Sequence, residues 1–146
     1  MPEISFLILT FNSEKYIEKL IESLFENCSE KIENGTYEIL IFDNNSSDET
    51  SRLIEGLRQK ETKKSIQFFR SKENLGYAKG INRLASLSNG KILIVINPDA
   101  ELLSGDFNVL SSEFERKENL AISGLRVVDA FQKIEKTAGS FLNPYT

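Results

Sequence analysis

Short apolar runs alternate along this chain with segments in which apolar residues recur every three or four positions. The runs are rich in β-branched and aromatic residues, as strands are, and they cover residues 4–10, 37–42, 66–69 and 92–97. The segment after the first run carries the apolar stripe of an amphipathic helix, made of Ile17, Leu20, Ile21, Leu24 and Phe25. Strands that alternate with helices predict crossover connections and an α/β fold with a mostly parallel central sheet.

Residues that favour helix ends indicate where the helices begin. Asn12 or Ser13 suits the N-cap of the first helix, Asp48 suits that of the second, and the third begins near Gly76. A fourth helix is expected to begin at Ser104 or Asp106. Its inward residues are predicted to be Phe107, Leu110 and Phe114. Beyond it, residues 120–128 predict a fifth strand or strand pair, and residues 129–146 a loop or hairpin.

Composition narrows the class of protein. A chain of 146 residues, 40% hydrophobic and 27% charged, predicts one domain over residues 1–146. The net charge of −4 gives no basic surface for nucleic acid. The chain enters a strand almost at once, which predicts no secretory signal. The lack of a signal predicts a cytoplasmic location, and the single cysteine, Cys28, is expected to be a buried thiol, which fits a reducing compartment.

The absence of histidine removes whole classes of chemistry. Without it the chain can form no His-based zinc site, no Ser-His-Asp triad and no Cys-His pair. Any metal must then be held by oxygen ligands, which favours Mg²⁺, Mn²⁺ or Ca²⁺.

Polar residues collect where the predicted strands finish. The four groups are Thr10-Phe11-Asn12, Asp43-Asn44-Asn45, Asn74-Leu75-Gly76 and Asn97-Pro98-Asp99. The carboxyl ends of parallel strands meet at one edge of a sheet, so these groups are expected to line one crevice. Each group also has a structural interpretation, because such residues form turns and cap helices, and Phe11 alone suits a core position.

Together the four groups suggest a site for a nucleoside diphosphate. Phe11 offers a face for a base, and Asp43 can accept hydrogen bonds from a base or a ribose. Gly76 lets the backbone approach a ligand at a helix start, where Lys79 could meet phosphate or simply be solvated. The apolar run 92–97 predicts a strand buried on both faces, and Asp99 just beyond it would hold a cation that bridges to phosphate.

Four segments resemble motifs of family 2 glycosyltransferases of the GT-A fold. Residues 5–12, Ser-Phe-Leu-Ile-Leu-Thr-Phe-Asn, resemble the family's opening motif, and residues 41–48 resemble its V-D-[ND]-x-S-x-D segment. Residues 74–82 are similar to N-x-G-x-[AG]-x-[AG]-x-N, and residues 97–101 to the N-P-D form of the D-x-D motif found in a rhamnosyltransferase-like branch. The resemblance implies a Rossmann-like α/β/α sandwich.

The resemblance also implies an activity and a ligand. The donor would be a UDP-, dTDP- or GDP-linked sugar, and transfer to a hydroxyl of a glycan or lipid-linked acceptor would invert the anomeric centre with the help of Mg²⁺ or Mn²⁺. Asp99 matches the metal ligand of D-x-D. The matching nucleotide-binding positions are Thr10, Phe11, Asn12, Asp43, Asn45, Asn74, Gly76, Lys79 and Asn97.

The chain departs from the family pattern at two places. Asn97 stands where D-x-D often has its first aspartate, which leaves fewer carboxylates for the metal. The family's general base lies in a later segment, and it is therefore expected beyond Thr146; Glu113, Glu115 and Glu118 are poor substitutes. A C-terminally truncated chain is thus expected, and a longer protein could associate peripherally with the inner face of a membrane through lipid-linked acceptors.

Two other functions fit parts of the pattern. A catalytically incomplete module that binds a nucleotide sugar would need only the four strand ends. A nucleotidyltransferase would favour a glycine-rich basic loop after the first strand, whereas this chain has Thr-Phe-Asn-Ser-Glu at residues 10–14.

Overall fold

The computed structural model describes residues 1–60, 65–104, 107–117, 119–129 and 131–134. The chain divides into two compact units, Met1–Asp106 and Phe107–Thr146. The first contains a parallel sheet whose strand order is β3-β2-β1-β4. The elements in chain order are β1 (Ile4–Thr10), α1 (Ile17–Glu33), β2 (Tyr37–Asp43), α2 (Thr50–Gln59), β3 (Ile66–Arg70), α3 (Tyr77–Leu87), β4 (Ile92–Ile96) and, in the second unit, α4 (Asn108–Arg116).

The core forms around β1 and β2, in which every residue is buried. On one face Leu7 and Leu40 belong to a cluster with Leu84 of α3. Side chains alternate along a strand, so the neighbouring residues face the other side, where α1 and α2 pack together. Gly80 allows α3 to approach the sheet closely, because a Cβ there would lie 2.5 Å from Cδ1 of Leu9.

The amino-terminal end of the sheet holds a buried carboxylate. Glu38 accepts hydrogen bonds from the Ser5 hydroxyl at 2.6 Å, the Gln67 amide at 2.9 Å and the Asn89 backbone N–H at 2.6 Å. The backbone N–H of Gly90 in turn donates to Ser5 Oγ at 2.8 Å. This cluster ties the loop before β4 to three strands, at the opposite end of the sheet from the strand ends singled out above.

Two sequence expectations about the strands need correction. The apolar run 92–97 is not buried on both faces, because β4 lies at the edge of the described sheet and Leu93 and Val95 are 42% and 45% exposed. Residues 120–128 form no strand and contribute only an isolated bridge from Val128 to Ile134. Local pattern predicts an extended run, but the number of neighbouring strands depends on chain that is distant in sequence.

Helix starts also differ from the expectation. Neither Asn12 nor Ser13 caps α1, which begins at Ile17 after a turn. In α4 Phe107 is buried just before the first turn, whereas Leu110 and Phe114 are only partly buried. Asp106, Glu118 and residues 135–146 lie outside the described part of the chain, and so do the expectations that concern them.

No helix in the described part of the chain combines the length and apolar character needed to cross a membrane.

Candidate active site

Parallel register brings the predicted site residues to one edge of the sheet. Thr10 lies opposite Asp43, which lies opposite Arg70. The loops that follow β1, β2, β3 and β4 therefore leave the sheet at the same edge. This is the edge at which open α/β sheets bind ligands.

Asp43 is held by protein groups on both carboxylate oxygens. Its side chain is fully buried, and Oδ1 accepts from the hydroxyl of Thr10 at 3.3 Å and from the backbone N–H of Ser46 at 3.2 Å. The hydroxyl of Ser46 also donates to Oδ1. Oδ2 accepts from the hydroxyl of Ser51 at 2.5 Å and lies 3.4 Å from Nε of Arg70. Asp43 therefore organises the loop after β2, as the structural interpretation of this segment expects.

The loop after β1 locks onto the loop after β2. The backbone N–H of Asn12 donates to Ser46 Oγ at 2.9 Å, and Asn12 Oδ1 accepts from the backbone N–H of Ser47 at 2.9 Å. Asn12 and Asn45 adopt left-handed conformations, with φ values of 50° and 69°. Asparagine tolerates this conformation better than most residues, which gives a backbone reason for its presence at both positions.

Asp48 joins the same two loops at the start of α2. Its Oδ1 accepts from the backbone N–H of Thr50 at 3.1 Å and from the Thr50 hydroxyl at 2.6 Å, while Oδ2 accepts from the backbone N–H of Glu14 at 3.1 Å. Burial favours the neutral acid, but these hydrogen bonds outweigh it and lower the pKa of Asp48. The N-cap of α2 is Glu49, so the prediction that Asp48 occupies this position is wrong by one residue, although the Asp48 side chain does accept from the first backbone N–H of the helix.

Asn44 connects the loop after β2 to the loop before α3. Its Oδ1 accepts from the backbone N–H of Leu75 at 2.8 Å, and its Nδ2 donates to Oδ1 of Asn74, also at 2.8 Å. Asn74 Oδ1 also accepts from the backbone N–H of Gly76 at 2.8 Å. Gly76 has a φ of 77°, which favours glycine, and α3 starts at the next residue.

These loops line an open cleft of about 510 Å³, a size typical of small-molecule sites. Six of the predicted residues line it: Phe11, Asn12, Asn74, Gly76, Asn97 and Asp99. The lining does not include Thr10, Asp43, Asn45 or Lys79. Asn44 and Pro98, which belong to the strand-end groups expected at the crevice, also line it, whereas sequence reasoning missed Leu9, Ser13, Tyr16 and Tyr77.

Three aromatic side chains stand at the cleft, each about half exposed or more. Phe11 is 49% exposed, so its interpretation as a core residue is wrong, and Tyr16 and Tyr77 are 50% and 61% exposed. The Tyr77 hydroxyl donates to Oδ1 of Asn97 at 3.5 Å. Tyr77 could have been found from sequence, because it directly follows the predicted segment Asn74-Leu75-Gly76 and begins a helix. Tyr16 lies four residues after Asn12, just before α1, and has no such signal. Exposed aromatic faces suit stacking with a base or a sugar.

The segment that carries Asp99 is anchored to α1. The backbone N–H of Ala100 donates to the carbonyl of Asn97 at 3.1 Å, which forms a tight turn around Asp99. Two residues further on, Leu102 donates its N–H to Ser23 Oγ and accepts from Asn27 Nδ2, both at 2.9 Å. One helix thus binds both polar backbone groups of Leu102.

The oxygen ligands near Asp99 are few. In residues 1–60, 65–104 and the other described ranges, no three acidic or cysteine side chains come close enough to form a metal centre. Asp99 and Asn97 line the same cleft, and the Asn97 amide oxygen also accepts from the Tyr77 hydroxyl. This donor set fits Mg²⁺ or Mn²⁺ only if phosphate oxygens of a ligand complete the coordination.

Cys28 plays no part in the cleft. It lies within α1 and is buried, as predicted, and burial raises the pKa of its thiol. A thiol that stays protonated is a poor nucleophile.

The fold and the cleft define a class of protein that binds a ligand at the carboxyl edge of a parallel sheet. The model of glycosyl transferase family 2 matches residues 5–141, nearly the whole chain. The chain therefore belongs to glycosyltransferase family 2, and the resemblance of the four motifs is confirmed.

One curated relative is the dolichyl N-acetyl-alpha-D-glucosaminyl phosphate 3-beta-D-2,3-diacetamido-2,3-dideoxy-beta-D-glucuronosyltransferase of Methanococcus voltae. It is 33% identical over 132 residues, an alignment that covers 86% of this chain and 38% of the relative. The chain thus spans well under half the length of this relative.

Solved structures confirm the predicted GT-A fold. Residues 1–349 of S. aureus TarS in complex with UDP superpose with a TM-score of 0.65 at 24% identity, over 80% of this chain and 32% of that one. The mannosyltransferase PcManGT of Pyrobaculum calidifontis, in complex with GDP-Man and Mn²⁺, gives a TM-score of 0.64 at 18% identity. That match covers 75% of this chain and 32% of the other.

Proposed function

We propose that this chain is the donor-binding part of a glycosyltransferase that uses a nucleoside-diphosphate sugar. The cleft between Phe11 and Asp99 carries this proposal, because it places exposed aromatic faces and a carboxylate on one ligand-sized site. UDP and GDP-Man in the two structural neighbours support a donor of this class.

The residues that line the cleft divide the work of binding. Phe11 packs on the base, and Asn12 and Asn74 supply hydrogen bonds to oxygens of the nucleotide. Asp43 and Thr10 are fully buried, so they shape the loop after β2 rather than contact the nucleotide, and Asn45 belongs to the same loop. Lys79 adds positive charge on α3, where it favours a diphosphate.

Asp99 and Asn97 are the residues that would hold Mg²⁺ or Mn²⁺ together with the diphosphate. The ion would neutralise charge on the departing nucleoside diphosphate. With a single carboxylate available, we expect the metal to bind weakly until the nucleotide is present. The presence of Mn²⁺ in the complex of the Pyrobaculum enzyme supports this role.

Transfer itself requires an acceptor hydroxyl and a base to deprotonate it. The acceptor is proposed to be a glycan or a lipid-linked saccharide, by analogy with the dolichyl phosphate sugar named for the Methanococcus relative. Direct attack of the acceptor hydroxyl on the sugar would invert the anomeric centre. A cytoplasmic location at the inner face of a membrane would suit this acceptor.

Thermal denaturation with nucleotides tests the proposal. UDP, dTDP and GDP are each titrated with and without MnCl₂, and at least one is expected to raise the melting temperature, more strongly with the metal. A ligand at about 100 times its Kd stabilises by roughly 2.7 kcal/mol. If no nucleoside diphosphate shifts the transition, the proposal is wrong.

A matched pair of variants tests whether the Mn²⁺-dependent shift requires Asp99 itself or is lost when any negative charge is removed. Asp99→Asn is expected to remove the Mn²⁺-dependent part of the shift. Glu26→Gln removes the same charge from an exposed position on α1 and should leave the shift intact. An equal effect of both variants would rule out Asp99 as the metal ligand.

A further inference from the structure

The side-chain amide of Asn44 has only one orientation that satisfies its neighbours. The backbone N–H of Leu75 is a donor and cannot accept, so the Asn44 atom 2.8 Å away must be its oxygen. The Nδ2 of Asn44 then points to Asn74, at 2.8 Å. Asn44 is buried, so the cost of an unsatisfied amide would hold it in this orientation.

The orientation of Asn74 follows from that of Asn44. Two donors converge on one atom of its amide, Nδ2 of Asn44 and the backbone N–H of Gly76, each at 2.8 Å. That atom must be the oxygen, because an amide nitrogen carrying hydrogens would face both donors with like charge.

The remaining atom of the Asn74 amide is a donor with no partner in the described part of the chain. Asn74 is exposed and lines the cleft, and its Nδ2 takes part in no hydrogen bond with described residues. We infer that Asn44 is a positioning residue that turns the Asn74 amide so that its NH₂ group donates to an oxygen of the bound nucleoside diphosphate. This inference rests on the proposed function, and it means that the Asn74 amide faces the nucleotide as a donor and not as an acceptor.

An isosteric substitution tests the contact. In Asn74→Asp the oxygen that faces Asn44 and Gly76 is kept, so the loop retains both hydrogen bonds, whereas the donor toward the ligand becomes an anionic oxygen. Calorimetric titration with UDP, dTDP and GDP in MnCl₂ is expected to show binding of the accepted nucleotide weakened roughly 10- to 100-fold. Asn82→Asp, which adds the same charge at an exposed position on α3, should weaken binding by less than about threefold.

A double-mutant cycle tests the positioning role. Asn44→Asp still accepts from Leu75 but cannot donate to Asn74, so it is expected to weaken binding of the same nucleotide about tenfold. In an Asn74→Ala background, which also serves if Asn74→Asp does not fold, Asn44→Asp should weaken binding by no more than the roughly threefold allowed for an added charge, because no amide remains to be oriented. Melting temperatures, measured without ligand, report any loss of folding separately.

Each outcome bears on a different claim. If Asn74→Asp binds as tightly as the unmodified protein, or if Asn44→Asp weakens binding equally in both backgrounds, the inference is wrong while the proposed function stands. If the unmodified protein binds none of the three nucleotides, both are overturned.

Discussion

Removing the negative charge of Asp43 should destabilise the protein while leaving its shape unchanged. In Asp43→Asn one oxygen can still accept from Thr10 and Ser46, which retains the bonds now made by Oδ1. The other oxygen becomes an NH₂ group. It can no longer accept from Ser51, and it faces Nε of Arg70, which is also a donor.

The size of the effect follows from these lost interactions. A hydrogen bond to a charged group contributes about 1.5–3 kcal/mol, so the loss of the 2.5 Å contact with Ser51 dominates. The ion pair with Arg70 adds at most about 1 kcal/mol, because the Arg70 side chain is 55% exposed and solvent screens it. We expect the free energy of unfolding to fall by about 2–4 kcal/mol.

Urea denaturation followed by circular dichroism measures this loss. The midpoint should shift with an unchanged m-value, since the surface exposed on unfolding stays the same. Glu55→Gln, an equal change of charge on the exposed side of α2, should alter stability by less than about 0.5 kcal/mol. Equal stability of the two variants would refute the view that the carboxylate stabilises the loop after β2.

Three further predictions concern other parts of the fold. Gly90→Ala should lower the free energy of unfolding in urea by about 1–3 kcal/mol, because its Cβ would lie 2.6 Å from the backbone nitrogen of Ser5. Gly56→Ala, in open space on α2, should instead raise it by up to about 1 kcal/mol. Changes of the same sign in both variants would contradict the packing argument. Cys28 should resist iodoacetamide at pH 8 until urea is added, as mass spectrometry would show. Because the pKa of Asp48 is lowered, the stability that its carboxylate contributes is complete above about pH 4 and is lost as the pH falls below it. In urea denaturation, the free energy of unfolding of Asp48→Asn should therefore differ less from that of the unmodified protein at pH 2.5 than at pH 6.

The positions of the strands along the chain could be predicted from the sequence because their signals are local. The first strand was predicted with its observed bounds, Ile4–Thr10, and the next two ended within one residue of the observed position. The burial of β4 could not be predicted in this way. Five aliphatic residues in a row show that a strand is apolar, but they do not show how many strands or helices cover it.

The candidate site was predicted in its location more than in its contacts. The parallel register ensured that the four strand ends would share an edge, so Phe11, Asn74 and Asp99 were placed together correctly. The sequence could not show that Asp43 would face inward to Ser51 and Arg70 while its neighbour Asn44 reached the cleft. Alternation at the end of a strand depends on where the chain leaves the sheet, and the local pattern does not show that β2 ends at Asp43.

Because α1 is hydrogen-bonded to Leu102, the length of this helix sets the position of the segment that carries Asp99. The helix begins directly after Tyr16, which lines the cleft with Phe11. One to three turns further on, Ser23 and Asn27 form the hydrogen bonds to Leu102 in the segment that carries Asp99. A helix rises about 1.5 Å and turns about 100° per residue. One residue inserted between Ile17 and Ser23 would therefore rotate the side chains of Ser23 and Asn27 away from Leu102. The length of this helical stretch is thus constrained as much as the residues of the cleft are.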